Sequence, residues 1–311
     1  VARILVAESS GFSEVAADRL RAGHELQLAD LDRDGLLAAV ADADVLWVRL
    51  RHRIDEEVFA AAERLRFVVT PTTGLDHIDL DAPSRHAQIL SLQGEAEFLS
   101  DVRATAEHTV ALMLALLRRL PAAARHAADG GWDRDRFRGN ELCGRTVGVV
   151  GYGRLGKLVA RYVRAFDAEV VATDPAAQAG EVELLPLGEL LGRADIVTLH
   201  APLDDATRGL IGRAELGSMR AGALLVNTAR GALVDEAALI DALESGRLGG
   251  AALDVLSGED ASGMGDHPVV AYAREHDNLI VTPHVGGATH ESMEKTELFM
   301  ADRLAAALED G

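Results

Sequence analysis

Residues Thr146 to Ala160 read TVGVVGYGRLGKLVA, and this stretch decides the fold. Its opening residues are mostly β-branched, as in a buried parallel strand. Three glycines follow in GxGxxG spacing at Gly151, Gly153 and Gly156, and the residues after them take up a helical pattern. The first glycine permits a tight turn, the second lets backbone approach a pyrophosphate, and the third lets helix pack on strand. N–H groups at the helix start then face the phosphates. A second apolar run, Glu169–Thr173, leads to Asp174, eighteen residues after Gly156. A carboxylate there accepts hydrogen bonds from an adenosine ribose and repels a 2′-phosphate, so NAD is expected rather than NADP. The same letters also spell GxxxxGK, the start of a P-loop. Leu158 stands where that motif needs a hydroxyl for magnesium, which excludes it.

Outward from this motif, strands are expected at Thr146–Val150, Glu169–Thr173, Ile196–His200, Leu224–Asn227, Ala251–Leu253 and Leu279–Thr282. Six parallel strands with helices between them fit a doubly wound sheet of the dinucleotide-binding type. Upstream, Arg3–Val6, Glu25–Leu28, Val45–Arg49, Phe67–Thr70 and Ile89–Leu92 read as strands, with helical patterns such as Ser13–Ala22 and Glu56–Arg64 between several of them. That alternation again predicts a parallel sheet covered on both faces. Between the two sets, Thr105 to about Ala128 forms a long helix, apolar round most of its circumference, so it is deeply buried or lies in a subunit interface. Pro121 is expected to kink or divide it. A last helix spans about Ser292 to Glu309.

At 311 residues the chain has room for about two domains. Asp plus Glu number 50 against 31 Lys plus Arg, a formal charge of −19, and only Lys157 and Lys295 are lysines. So acidic a surface repels phosphate backbones and anionic lipids, so neither nucleic acid nor membrane is an expected partner. Two lysines also disfavour Schiff-base chemistry. Cys143 is the single cysteine, which excludes an internal disulfide and favours a cytoplasmic location. The most lipid-like run, Thr109–Leu117, is nine residues long, too short for a bilayer. The start, Val1-Ala2-Arg3, lacks a signal-peptide layout.

Three strand ends carry polar residues to the carboxyl edge of the second sheet, where α/β enzymes bind ligands. They are Asn227-Thr-Ala-Arg230, Asp254 with Glu259 close behind, and Thr282-Pro-His284. An arginine, a carboxylate and a histidine delivered together can hold an anionic carbonyl compound and move a proton. At this point the chain closely resembles the NAD-dependent D-isomer-specific 2-hydroxyacid dehydrogenases. The resemblance runs over nearly the whole chain: TTGLDHIDL at Thr72–Leu80, AEHTVALMLALLR at Ala106–Arg118, GYGRLG, HAPL at His200–Leu203, NTARGALVDEAAL at Asn227–Leu239, ALDV at Ala252–Val255 and TPHVGGAT at Thr282–Thr289.

The resemblance implies two doubly wound parallel-sheet domains, a flavodoxin-like substrate domain and a Rossmann NAD-binding domain. The first is discontinuous, residues 1–102 plus 286–311, and encloses the second, 103–285. Hinges near Arg103 and Val285 are implied, as is a homodimer built largely on Glu107–Leu120. Arg230 matches the arginine that grips the substrate carboxylate and carbonyl, His284 the acid–base histidine, and Glu259 the glutamate that supports it. Gly151, Gly153, Arg154, Leu155, Gly156, Asp174, Thr73, Thr228, Asp254 and Gly287 match cofactor positions. Thr72, Thr73 and Gly74 match the loop that holds the substrate carboxylate. The implied reaction is hydride transfer between NAD(H) and a small anionic 2-hydroxy or 2-oxo acid, with no metal. Some relatives keep the fold as an NAD(H)-sensing corepressor or scaffold, which is the alternative function. His108 and His200 are expected to be packing or hydrogen-bonding residues.

Two departures bear on the substrate. Leu92–Arg103 replaces a shorter loop, so Glu95, Glu97 or Arg103 could shape a pocket or simply lie on the surface. Asp260 follows Glu259 where the family usually has proline, and Ala-Ser-Gly-Met-Gly lengthens the stretch. Arg49 and Arg51 resemble the Arg-x-Arg with which some phosphoglycerate dehydrogenases reach the substrate phosphate. Against that reading, Thr70 and Pro71 replace an arginine common in those enzymes. Formate oxidation is disfavoured, because relatives with that activity lack the glutamate represented by Glu259.

Overall fold

A computed structural model describes residues 1–178, 180, 182–259 and 264–309; Asp260 and the Ala261–Gly263 part of the expected insertion lie outside them. Two compact units divide the chain, residues 1–102 with 288–311 and residues 103–287.

In the first unit the strands are β1 Arg3–Val6, β2 Glu25–Leu28, β3 Val45–Trp47, β4 Phe67–Val69 and β5 Gln88–Leu90. They pair in parallel in the order β2-β1-β3-β4-β5, the flavodoxin-like winding. Alternate residues face opposite layers, as the period of two in a strand requires. Ile4, Val6, Val45, Trp47, Phe67 and Val69 share one core, and Leu5, Leu46 and Val68 the other. The helices α1 Glu14–Arg21, α2 Arg33–Val40 and α3 Glu56–Ala61 begin where Ser13, Asp32 and Asp55 accept a hydrogen bond from a backbone N–H of the first turn, which satisfies an otherwise orphaned donor. A short helix, α4 Ala96–Leu99, lies in the departing Leu92–Arg103 segment.

The second unit contributes α5 Ala104–Arg118, α6 Leu120–Ala128, β6 Thr146–Val150, α7 Arg154–Arg164, β7 Glu169–Thr173, β8 Glu183–Leu184, α8 Leu187–Arg193, β9 Ile196–Leu199, α9 Arg213–Ser218, β10 Ala223–Asn227, α10 Glu236–Glu244, β11 Leu248–Leu253, α11 Pro268–Glu275 and β12 Leu279–Val281. Seven parallel strands run in the order β12-β11-β10-β9-β6-β7-β8. Strand order reverses between β6 and β9, the switch point at which such sheets bind ligands. The expected long helix is two helices: Arg119 adopts a left-handed conformation with φ 53°, and Pro121 sits in the first turn of α6, where its missing N–H costs nothing. Of α5, Ala106, Val110, Met113 and Leu117 are buried with β6 and α7 residues, while Glu107, Ala111 and Arg118 are exposed.

The last helix, α12 His290–Glu309, belongs to the first unit. Its Met300, Ala301 and Leu304 join the core that α1 covers.

Candidate active site

At the switch point the three glycines of the second unit differ in what surrounds them. Gly151 has φ +91°, and a Cβ on it would fall 2.6 Å from the carbonyl carbon of His200. A Cβ on Gly156 would fall 2.1 Å from the carbonyl oxygen of Gly151. Only glycine fits either contact, because the obstacle is backbone. Among the described residues, a Cβ on Gly153 would meet nothing within 4 Å, which leaves backbone for a ligand to approach. Asp174, just past β7, accepts hydrogen bonds from the N–H of Tyr152 and of Ala176, both at 2.8 Å. Its carboxylate therefore lies against the glycine turn. Burial holds the guanidinium of Arg154, the first residue of α7, below its ordinary pKa. Leu155 packs on the core beneath. A cradle of glycine backbone, a helix start and an acidic strand end fits a dinucleotide.

The ends of β10, β11 and β12 hold the polar residues. After β10, buried Asn227 accepts from the N–H of Ala229 at 3.0 Å and donates to the carbonyl of Arg230 at 2.8 Å, which closes the turn that carries Arg230. The Arg230 guanidinium donates to the carbonyl of Ala229 at 2.6 Å. Thr228 is buried and shares a hydrogen bond with Thr109 of α5 at 2.8 Å.

After β11, the side chain of Asp254 is 1% exposed. It accepts from the Thr282 hydroxyl at 2.5 Å and from the N–H groups of Val285 and Gly286 at 3.0 and 2.7 Å, with His108 Nε2 at 3.2 Å. Burial pushes its pKa up, but these hydrogen bonds outweigh burial and hold it below the ordinary carboxylate range. The clamped amides belong to the turn that presents His284, itself left-handed at φ 51°. His284 donates its own N–H to the Asp254 carbonyl at 2.8 Å. Its Nδ1 lies 2.5 Å from Glu259 Oε1, and Glu259 Oε2 accepts from the N–H of Leu256 at 3.0 Å. Gly287 closes the unit; a Cβ there would lie 4.0 Å from Thr105 Oγ1.

In the first unit, the loop after β4 carries Thr72, Thr73 and Gly74. The Thr72 hydroxyl donates to the Gly74 carbonyl at 2.8 Å and shares a hydrogen bond with Thr70 at 2.9 Å. Thr73 is exposed. Arg49 follows β3, but its guanidinium is engaged within the same unit by Glu297 of α12 and by the carbonyl of Ser10. The Glu297 carboxyl is pushed up by burial, although the Ser13 N–H and Arg49 act against this. Arg51 is about half exposed and lies 3.3 Å from Asp30. The buried Glu8 carboxylate accepts the backbone N–H groups of both arginines and so shapes this stretch.

A family described as D-isomer specific 2-hydroxyacid dehydrogenase, NAD binding domain, matches residues 110–286. The chain belongs to this family. The D-3-phosphoglycerate dehydrogenase of Mycobacterium tuberculosis is 41% identical over 98% of the chain, which spans 56% of that protein's length. Among solved structures, the TT0316 protein of Thermus thermophilus aligns with TM-score 0.86 at 37% identity, covering 99% of this chain and 97% of that one. The D-lactate dehydrogenase of Aquifex aeolicus, complexed with NAD and lactic acid, aligns with TM-score 0.84 at 25% identity, covering 99% and 96%.

The cofactor of this D-2-hydroxyacid dehydrogenase family member is NAD, and its second unit is a Rossmann domain. No helix among the described residues is long and apolar enough to cross a membrane. Asn227 and Gly231, to which the resemblance assigns no role, shape the turn that carries Arg230. A Cβ on Gly231 would fall 2.1 Å from the carbonyl carbon of Leu256, so the Arg230 turn and the Glu259 loop press together. The signal was present in Asn227-Thr-Ala-Arg230-Gly231: an Asn ending a strand and a Gly after an arginine mark a tight turn and a close approach.

Proposed function

We propose that the chain is the dehydrogenase core of an NAD-dependent D-2-hydroxyacid dehydrogenase acting on a small anionic 2-hydroxy or 2-oxo acid. The observation that carries this is the 2.5 Å contact between His284 Nδ1 and Glu259 Oε1. A carboxylate on Nδ1 fixes that nitrogen as a donor, which leaves Nε2 to give a proton to a forming alkoxide or take one from a hydroxyl. Arg230 holds the substrate's carboxylate and carbonyl through its planar fork of donors. Thr72, Thr73 and Gly74 hold the carboxylate through backbone N–H groups. Gly151–Gly156 would hold the pyrophosphate of the dinucleotide and Asp174 its ribose, with Arg154, Leu155, Thr73, Thr228, Asp254 and Gly287 as further cofactor-holding positions. When bound, NAD(H) supplies or accepts hydride at the substrate carbon.

Within the class, a phosphorylated acid such as 3-phosphoglycerate is the first substrate to try, since the mycobacterial relative bears that name at 41% identity. Arg51 is the better placed of the two arginines for a phosphate, because the guanidinium of Arg49 is held by Glu297. We place the protein in the cytoplasm and assign it a homodimer that uses the exposed residues of α5.

The test follows NADH absorbance with a panel of 2-oxo acids that includes 3-phosphohydroxypyruvate, for wild type and His284→Ala. Turnover that falls at least a hundredfold in the variant is expected. Turnover that survives the change refutes the acid–base assignment, and tight NADH binding without turnover across the panel points to a sensor instead.

A further inference from the structure

Glu259 stands on a loop held in place from two other elements. The N–H of Ser257 donates to Glu236 Oε1 at 2.8 Å, from the first residue of α10. The carbonyl of Ser257 lies 3.2 Å from His267 Nε2, from the residue that caps α11. His267 Nδ1 accepts the N–H of Val269 at 3.3 Å, so the ring proton is on Nε2 and is shared between the Ser257 carbonyl and Glu236 Oε2, the latter at 3.4 Å. Both side chains are 16% exposed. The remaining face of this peptide rests on Gly231, with no room for a Cβ. Thus the Leu256–Ser257 peptide is gripped through its Ser257 N–H, through the next carbonyl and through its flat face. The N–H of Leu256, in the peptide immediately before it, then fixes Glu259 Oε2.

We propose that Glu236 and His267 are positioning residues that hold the Leu256–Ser257 peptide, and through it the Glu259 carboxylate, at hydrogen-bond distance from His284. Neither residue touches substrate in this assignment. It rests on the acid–base role proposed for His284 and Glu259. Burial pushes the Glu236 carboxyl up, as befits a carboxylate enclosed to serve a backbone rather than water.

The test uses Glu236→Ala, Glu236→Gln, His267→Ala and His267→Asn in the full chain, with two readouts. Amide hydrogen exchange at Leu256 and Ser257 reads the clamp without reference to turnover. Turnover with the acid found above reads its consequence. In both alanine variants exchange at these amides should rise at least tenfold and kcat should fall between about tenfold and a hundredfold, the usual scale for a displaced reacting group. NADH affinity should stay within about twofold, because no glycine-loop contact changes. Glu236→Gln keeps an acceptor for the Ser257 N–H and should recover most of both losses. His267→Asn keeps a helix cap but is too short to reach the Ser257 carbonyl, so thermal stability should recover while exchange stays high. Unchanged exchange in the alanine variants, or wild-type exchange in His267→Asn, overturns the proposal. Should the wild type turn over no acid at all, the dehydrogenase reading fails, and raised exchange in the alanine variants still supports the clamp.

Discussion

Acidification should weaken this protein most through the imidazole of His200, which burial shifts further than His24 or His52. His200 follows β9 at the switch point; its Nε2 lies 3.0 Å from the Thr198 hydroxyl, and its buried Nδ1 has no hydrogen-bond partner among the described residues. Burial pushes its pKa down to about 4 from an ordinary 6.5. In the unfolded chain the ring takes up a proton as pH falls through 6.5, whereas the folded protein resists until about pH 4. Between those values the unfolded state binds more protons, so the stability present above pH 6.5 is lost progressively as pH falls toward 4. At 1.36 kcal/mol per pH unit the full loss is at most roughly 3 kcal/mol, an upper bound because the residue as a whole is only partly buried. Urea unfolding at intervals from pH 7.5 to about 4, for wild type and His200→Gln, isolates the effect, since every other group titrates in both. The wild-type curve should fall below that of the variant as pH drops. The peptide after His200 presses on Gly151, and because the ring in the folded protein stays neutral down to about pH 4, this group should leave NADH affinity unchanged over the same interval. Parallel stability curves for the two proteins would remove His200 as the source of the loss.

Three further outcomes are expected. Gly151→Ala must carry a Cβ at φ +91° against the His200 carbonyl carbon; a strain of about 1–2 kcal/mol from the conformation alone, added to the clash, should weaken NADH binding at least tenfold by calorimetry, and an unchanged Kd would contradict the account of the turn. Arg49→Ala strands the buried Glu297 carboxylate and should cost on the order of 3 kcal/mol in urea unfolding at pH 7; because burial raises the Glu297 pKa, the cost should shrink on acidification, and a constant cost would argue against the ion pair. Asp254→Asn leaves one of two clamped amides without a good acceptor, with an expected cost of about 2 kcal/mol and faster exchange at Val285 and Gly286; exchange rates equal to wild type would remove Asp254 as the clamp of the His284 turn.

The fold was legible where the chain obeys local rules. Strands β1, β2, β6 and β7 begin and end where the sequence places them, because β1, β6 and β7 are rich in β-branched residues and β2 alternates Leu26 and Leu28 with the polar Glu25 and Gln27. Two features were not legible, for physical reasons. β8 is a two-residue edge strand, Glu183–Leu184, too short to carry a period. β11 starts at Leu248, before the glycine pair Gly249-Gly250, which intrinsic propensity would exclude. Those glycines belong in a strand because a Cβ on Gly249 would lie 2.5 Å from the Gly222 carbonyl oxygen, a tertiary contact invisible in a local window.

Of the candidate site, the glycine turn, Asp174, Arg230, Glu259 and His284 were readable from motif and strand end. Their supports were not. Arg49 looked free to meet an anion, yet Glu297, 248 positions away, takes its guanidinium. Glu236 opens α10 and His267 caps α11, but their grip on Ser257 depends on where the two helices dock and leaves no local signal.

The contact between Gly231 and the Leu256–Ser257 peptide has a practical consequence for altering substrate preference. Residues 229–231 and 256–259 share one wall one backbone thick, so a change of side-chain volume on either loop displaces the other. Libraries that randomise the arginine turn alone will mostly return inactive proteins. Recombining both loops as a single cassette from one homologous parent, with Gly231 kept, respects the geometry.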